Sequence, residues 1–206
     1  MIERTIYDIL TDGLAWFQAD TRRVVSFYVD HCGIPAAEAG EIETYFKAHP
    51  PNIVIGYPRG SGPFPAWAII LESDSIRDRF IGDQGEYAPD DEPEYTDEDG
   101  ELAEKVVMRV SARYGVYTYS LGNPDVALLY YKLLRQILLK NIDTLIANEV
   151  GDLDFSGADM APDPRYLPED MWVRRLSLTL DLEETAWEAK PKGASVTATV
   201  TGVYTT

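Results

Sequence analysis

A single cysteine, Cys32, stands among 206 residues, so no disulfide can form within the chain. Histidine is almost as scarce, with His31 and His49 the only two. A zinc centre needs three or four ligands, and neither HExxH nor CxxC spacing occurs here to supply them. His31 adjoins Cys32, but neighbours on a helix point in different directions, which argues against a Cys-His nucleophile pair. Basic residues are also few: 18 Lys and Arg face 35 Asp and Glu, for a net charge of −17. They are scattered, with short pairs at Arg22–Arg23 and Arg174–Arg175. Gripping nucleic acid needs clustered cations that displace counterions from phosphate, so a DNA-binding role is disfavoured.

Long apolar runs are missing as well. No stretch approaches the roughly 18 consecutive apolar residues that a membrane helix requires. The start, MIERTIYDILTDGLAWF, carries acids early and lacks the basic-then-apolar layout of a secretory signal. These features predict a chain made in the cytoplasm with no membrane partner. No P-loop and no G-x-S-x-G elbow is present. Gly60-Ser61-Gly62 opens like a dinucleotide fingerprint, but Pro65 takes the place of the third glycine and a strand pattern follows. A turn is the better reading.

What is present is periodic. Ile2, Ile6, Ile9, Leu10, Leu14 and Phe17 form one helical stripe. Asp20 or Thr21 caps a second predicted helix through Val24, Val25, Phe27 and Tyr28 to Gly33. A third begins at Pro35, buries Ile42, Tyr45 and Phe46, and stops at Pro50-Pro51 with His49 as its C-cap. Ile53-Val54-Ile55 and Ala66-Trp67-Ala68-Ile69-Ile70-Leu71 read as strands joined by a Gly/Pro-punctuated loop, and strand character returns from Val106 to Tyr119. Asn123-Pro124-Asp125 is a strong helix start. The apolar spacing after it predicts one long helix over about 124–147. A Pro-rich connector, 161–168, leads into a strand from Trp172 to Trp187 whose Leu176, Leu178, Leu180 and Leu182 share one face. Pro191-Lys192-Gly193 turns into a last strand, Ser195 to Tyr204. The expected fold is a single α+β domain: a helical N-terminal part, then a mixed, mostly antiparallel sheet packed on the long helix. An acidic excursion sits at about 83–104 and a C-terminal β-hairpin at about 172–205.

The excursion is the strongest local signal. Asp83, Glu86, Asp90, Asp91, Glu92, Glu94, Asp97, Glu98, Asp99, Glu101 and Glu104 lie in it, with no Lys or Arg among them. Setting Asp97, Asp99 and Gly100 on positions three, five and six of a helix-loop-helix calcium loop puts Tyr95 first and Val106 twelfth, where oxygen ligands are required. The motif fails, and a solvated acidic face is the reading that remains. Thirteen tyrosines invite a base-stacking surface at Tyr117, Tyr119, Tyr130 and Tyr131, but the charge around them is wrong for it, and half-buried packing is preferred.

The order of elements carries a resemblance. It runs through Pro51-Asn52-Ile53-Val54-Ile55, Trp67-Ala68-Ile69-Ile70-Leu71-Glu72, Phe80-Ile81-Gly82, Tyr114 to Ser120, and Asn123-Pro124-Asp125 with its helix. Asp154-Phe155-Ser156-Gly157-Ala158-Asp159-Met160 and the strand from Trp172 complete it. In this order the chain resembles the neck and tail-terminator proteins of tailed bacteriophages; the acidic excursion and the C-terminal hairpin fall outside the pattern. The resemblance implies a non-enzymatic virion protein without metal or cofactor, a hexameric ring that caps the tail tube and joins it to the head. Its implied partners are copies of itself, tail tube or sheath proteins and head-tail connector proteins, with DNA passing nearby without specific binding. Aromatic and β-branched residues near strand edges, Trp67, Phe80, Trp172, Trp187, Val200 and Tyr204, are the interface candidates, and the acidic excursion faces either the lumen or a solvent-facing rim. Three other roles fit the same sequence: a baseplate or head-completion component, a carboxylate- and metal-dependent hydrolase built on Asp97 and Asp99, and an acidic DNA mimic that binds a basic protein.

Overall fold

The N-terminal stripe forms helix α1, Ile2–Ala19, and the residues expected on its inner face are the ones it buries: Ile2, Ile6, Ile9, Leu10, Leu14 and Phe17. Helix α2, Arg22–Cys32, ends at Gly33, whose φ of 67° lies in the left-handed region that glycine enters without penalty. Helix α3, Ala36–Ala48, starts after Pro35 and closes at His49 as expected. Its buried residues are Ala39 and Phe46, whereas Tyr45, expected inside, is exposed and stacks on His49 with ring centroids 4.7 Å apart. The coordinates are a computed structural model and describe residues 2–58, 64–81, 103–146, 150–160 and 170–189.

Five strands follow within the described residues: β1 Asn52–Ile55, β2 Ala66–Ile81, β3 Ala103–Leu121, β4 Val150–Met160 and β5 Met171–Ala189. They form one mixed sheet in the order β1-β2-β3-β5-β4. β1 runs parallel to β2, with Asn52 opposite Ala66 and Ile55 opposite Ile69, and β4 runs antiparallel to β5, with Phe155 opposite Leu178. β2 reaches ten residues beyond the apolar run that announced it, because its later part is polar and carries no strand alternation.

Helix α4, Pro124–Lys140, begins as the sequence indicated. The Asn123 side chain accepts from the backbone N–H of Asp125 at 2.9 Å and of Val126 at 3.3 Å. It does not run on to residue 147. The Asn141 N–H bonds back three residues to Leu138, and its side-chain amide donates to the Ile137 carbonyl at 2.8 Å. The helix ends there, and a separate turn, α5 Ile142–Ile146, returns Leu145 to the core.

The core lies between the helices and one face of the sheet. Leu133, Leu134, Ile137 and Leu138 of α4 are buried with α1 residues and with Trp67, Ile69, Tyr114, Val116, Leu176, Leu178 and Leu180. The alternate residues of the same strands, Ala66, Ala68 and Ile70 of β2, Tyr119 of β3, and Met171 and Val173 of β5, form a second cluster to which no described helix contributes. The period of two thus sends the strands' apolar groups to both faces.

The chain divides into two compact units, where the sequence pointed to one domain: Met1–Arg77 with Arg109–Glu183, and Asp78–Met108 with Glu184–Thr206. The first holds all five helices, β1 and β4. The described part of the second consists of the ends of β2, β3 and β5. The acidic excursion and the expected strand Ser195 to Tyr204 lie outside the described residues.

Two substitutions test this packing. Asn123→Ala removes the cap acceptor and is expected to cost about 1 kcal/mol in urea unfolding, with Asn123→Asp restoring most of it. Gly13→Ala is expected to cost more, about 1–3 kcal/mol, because a Cβ there runs into the Ile137 side chain where α1 and α4 meet.

Candidate functional site

The chemistry-bearing residues among those described lie at several separate places. Among the described residues, no three His, Cys, Asp or Glu stand close enough to hold a metal ion, and no helix is long and apolar enough to cross a membrane. Two shallow grooves flank the first turns of α4. One, of about 300 Å³, lies between α4 and the ends of β4 and β5; Leu128, Met160, Trp172 and Arg174 line it. The other, also about 300 Å³, lies between α3 and α4 and is lined by Ile42, Tyr45, Leu129 and Tyr130.

The first groove carries the more distinctive groups. Trp172 is 49% exposed and Met160 is 37% exposed, although each belongs to a strand of the sheet. Beside them Arg174 pairs with Asp159 at 2.7 Å and lies over the Tyr131 ring at 5.8 Å. Gly157 lets Tyr131 close on β4: a Cβ at that position would meet the Tyr131 hydroxyl. The cation is thereby neutralised and held, so what the groove offers a partner is apolar surface.

On the sheet face away from the helices, Glu72, Tyr117 and Arg175 join three adjacent strands, β2, β3 and β5. The Tyr117 hydroxyl donates to Glu72 Oε1 at 2.5 Å, and Arg175 reaches the same oxygen at 3.3 Å. Burial, then the hydrogen bond to Glu72, push the Tyr117 phenol up to about 12, so it stays a donor and is no nucleophile at neutral pH. Gly115 leaves the room these side chains fill. The arrangement is a cross-strand tie that fastens β2, β3 and β5 through side chains.

Cations fall into two groups. Arg4, Arg22, Lys47, Arg174 and Arg175 each pair with a carboxylate. Lys132, Arg135 and Lys140 make no ion pair among the described residues, nor does Arg113 on β3. Arg23 makes none either, but after the larger effect of the Arg22 hydrogen bond its charge helps hold the Asp20 carboxyl below its usual range. Trp16, 46% exposed at the end of α1, has the Arg23 guanidinium 4.2 Å from its ring centroid and the Lys140 ammonium 5.0 Å from it. Arg23 also donates to the Trp16 carbonyl at 2.6 Å. Sequence reading missed this place because its members come from three helices and share no motif.

The interface candidates divide as follows. Trp172 is available at the surface. Trp67 is fully buried in the core between helices and sheet, so its side chain serves packing within its own chain and is corrected from the interface set. Phe80 and Trp187 lie on β2 and β5, with side chains outside the described residues, as are Val200, Tyr204 and the acidic residues 90–101. His49 caps α3, and its carbonyl accepts from the Tyr130 hydroxyl at 2.6 Å. Of the four tyrosines weighed as a stacking surface, Tyr119 and Tyr130 are buried and Tyr117 and Tyr131 half-buried, which is the packing role preferred above.

Burial also raises the phenols of Tyr28, Tyr119 and Tyr130. A phenol is neutral when protonated, so a folded value above the unfolded one, about 10, adds stability below that pH and loses it as pH rises through the folded value. An alkaline titration followed at 295 nm is therefore expected to show a tyrosine class, Tyr117 included, that ionises well above about pH 10 and together with loss of the circular dichroism signal. No protein-family model and no curated protein sequence matches the chain, which leaves its residues and their geometry to indicate its function.

Proposed function

We propose that this chain is a structural subunit of a tailed-phage virion, a neck or tail-terminator protein whose copies close into a ring over the tail tube and join it to the head. The observation that carries the reading is that, among the described residues, the sheet ends in two open and unlike edges. β1 is a four-residue edge strand paired only to β2, with Ile55 53% exposed and Tyr57 77% exposed just beyond it. β4 is an eleven-residue edge strand paired only to β5, and Met160 at its end lies beside the half-exposed Trp172.

An uncovered edge is a template for another strand, and soluble proteins blunt such edges with Lys, Pro or short length. β4 carries neither Lys nor Pro and is long; its three Asp and the register shift between Val150 and Leu153 blunt it in part, the shift near its start, leaving the Met160 end regularly paired with β5. Unlike edges at opposite ends of one sheet favour head-to-tail contact between copies, and such contacts close into rings when the rotation permits. The surplus of acids suits a ring through which DNA passes, because like charge keeps the duplex from adhering to the wall.

The test is electron microscopy of the full chain, alone and mixed with purified tail tubes, alongside mass spectrometry of virions. Rings, or caps on the tubes, are expected. Ile55→Asp and Met160→Asp are each expected to abolish them while changing monomer stability by no more than about 0.5 kcal/mol. A chain that stays monomeric with tubes and is absent from virions overturns the proposal, and turnover of a small molecule by the purified chain does so as well.

A further inference from the structure

We infer that the exposed face of α4, together with Trp16 and Arg23, docks the acidic segment 83–104 of a second copy of this chain. The inference rests on the self-association proposed above and names which surfaces meet.

Three observations support it. First, α4 is the basic helix of an acidic protein: after Asp125 in its first turn it carries Lys132, Arg135 and Lys140 and no acid. Lys132 and Lys140 are two helical steps of four apart, and Arg135 stands one step of three from Lys132, so the three cations occupy one side. Arg135 and Lys140 are exposed and Lys132 is half-exposed, while the opposite stripe of the helix is the buried one. Second, the cations at the end of this face are held in place. Arg23 and Lys140 both stand against the Trp16 ring, and Arg23 is further fixed by the Trp16 carbonyl. Neither contact is an ion pair, so the Lys140 charge stays available, while Arg23 is shared in part with Asp20. Leu139, 37% exposed, adds apolar surface between the basic rows.

Third, the chain itself supplies the complement. Segment 83–104 holds eleven acids and no Lys or Arg, and it packs four acids into five residues twice, at 90–94 and again at Asp97, Glu98, Asp99 and Glu101. From Lys132 to Lys140 the helix rises about 12 Å. Five residues of extended chain reach up to about 17 Å, enough to lay these four carboxylates along that row and onward to Arg23. The remaining described cations are paired with carboxylates, apart from Arg113, which stands alone on β3, so this face is where described cations without ion pairs are gathered.

A charge-reversal pair tests the inference with the full chain. One variant carries Lys132→Glu, Arg135→Glu and Lys140→Glu; the other carries Asp97→Lys, Glu98→Lys, Asp99→Lys and Glu101→Lys. Circular dichroism confirms that each folds, and association is read by sedimentation. Wild-type self-association is expected to weaken about tenfold or more between low and high salt, since Debye screening shortens from about 10 Å at 0.1 M to about 3 Å at 1 M. Each folded variant alone is expected to lose that salt-sensitive association, and the two mixed in equal amounts are expected to regain it. The inference is overturned if the mixture stays as dissociated as its components, or if the first variant associates as tightly as wild type. Rings that survive in the first variant would sink this docking while leaving the ring proposal standing; a wild-type chain that neither self-associates nor binds tail tubes would end both.

Discussion

The apolar stripe of α4 is the constraint on which the described fold depends. Leu133, Leu134, Ile137 and Leu138 are buried at 2% exposure or less in the cluster that holds α1 and the even-numbered residues of β3 and β5. Each such side chain contributes about 1.5–3 kcal/mol by leaving water, so the stripe outweighs any single polar contact in the molecule. Its position follows from two small features at opposite places. Asn123 fixes where the helix starts, and Gly13 lets α1 approach until its backbone meets Ile137. With α4 placed, Tyr130 reaches the end of α3 through the His49 carbonyl, and Tyr28 on α2 reaches the Leu129 carbonyl at 2.7 Å. Two buried phenols thereby tie the other helices to the same element.

Spending one side of α4 on the core dictates what the other side shows. A helix buried all round has no charged face to offer; this one has a stripe in the core and a row of cations outside. The sheet has the same division in another form. Its interior strands are occupied on both sides by neighbours, while β1 and β4 each have one neighbour among the described residues. Among the described residues, the surfaces left open are two strand edges, one helix face and the grooves beside α4. The Glu72–Tyr117–Arg175 tie fits this division, since it fastens β2, β3 and β5 to one another and leaves the edge strands out.

Elements whose signal is local were legible in the sequence. The α1 stripe, the Asn123 start and the Leu176, Leu178, Leu180 alternation each depend on side chains a few residues apart, and each has the structure its spacing implied. Features that depend on a distant partner were not legible. Val150–Met160 contains two glycines and three aspartates, poor strand formers, and is a strand because β5 pairs with it. The helix break at Asn141 was hidden because Ile142, Leu145 and Ile146 continue the apolar period, while the interruption lies in backbone bonds that periodicity does not count. Trp67 illustrates the same limit for the candidate site. A tryptophan in a short apolar run suits an interface or a core equally, and only the helices packed over β2 decide between them. The basic place around Trp16 was invisible for a related reason: Trp16, Arg23 and Lys140 are brought together by the fold, over a separation no motif spans.

Charge distribution then follows from scarcity. With 18 cations for 35 acids, pairing alone could absorb every Lys and Arg in the chain. Several are absorbed: Arg174 goes to Asp159, Arg175 to Glu72 and Lys47 to Glu43, whose carboxyl is held below its usual range by Lys47 and then by Thr21. Exposed pairs of this kind are worth little individually, so they are cheap to form and cheap to forgo. Cations left unpaired at random would be spread over the surface. Those on α4 are instead gathered on one helix side, and one of them, Lys140, stands with Arg23 of α2 against the Trp16 ring. In a chain with 35 acids, a basic row that makes no ion pair among the described residues is the feature on which the docking of a second copy's acidic segment, proposed above, rests.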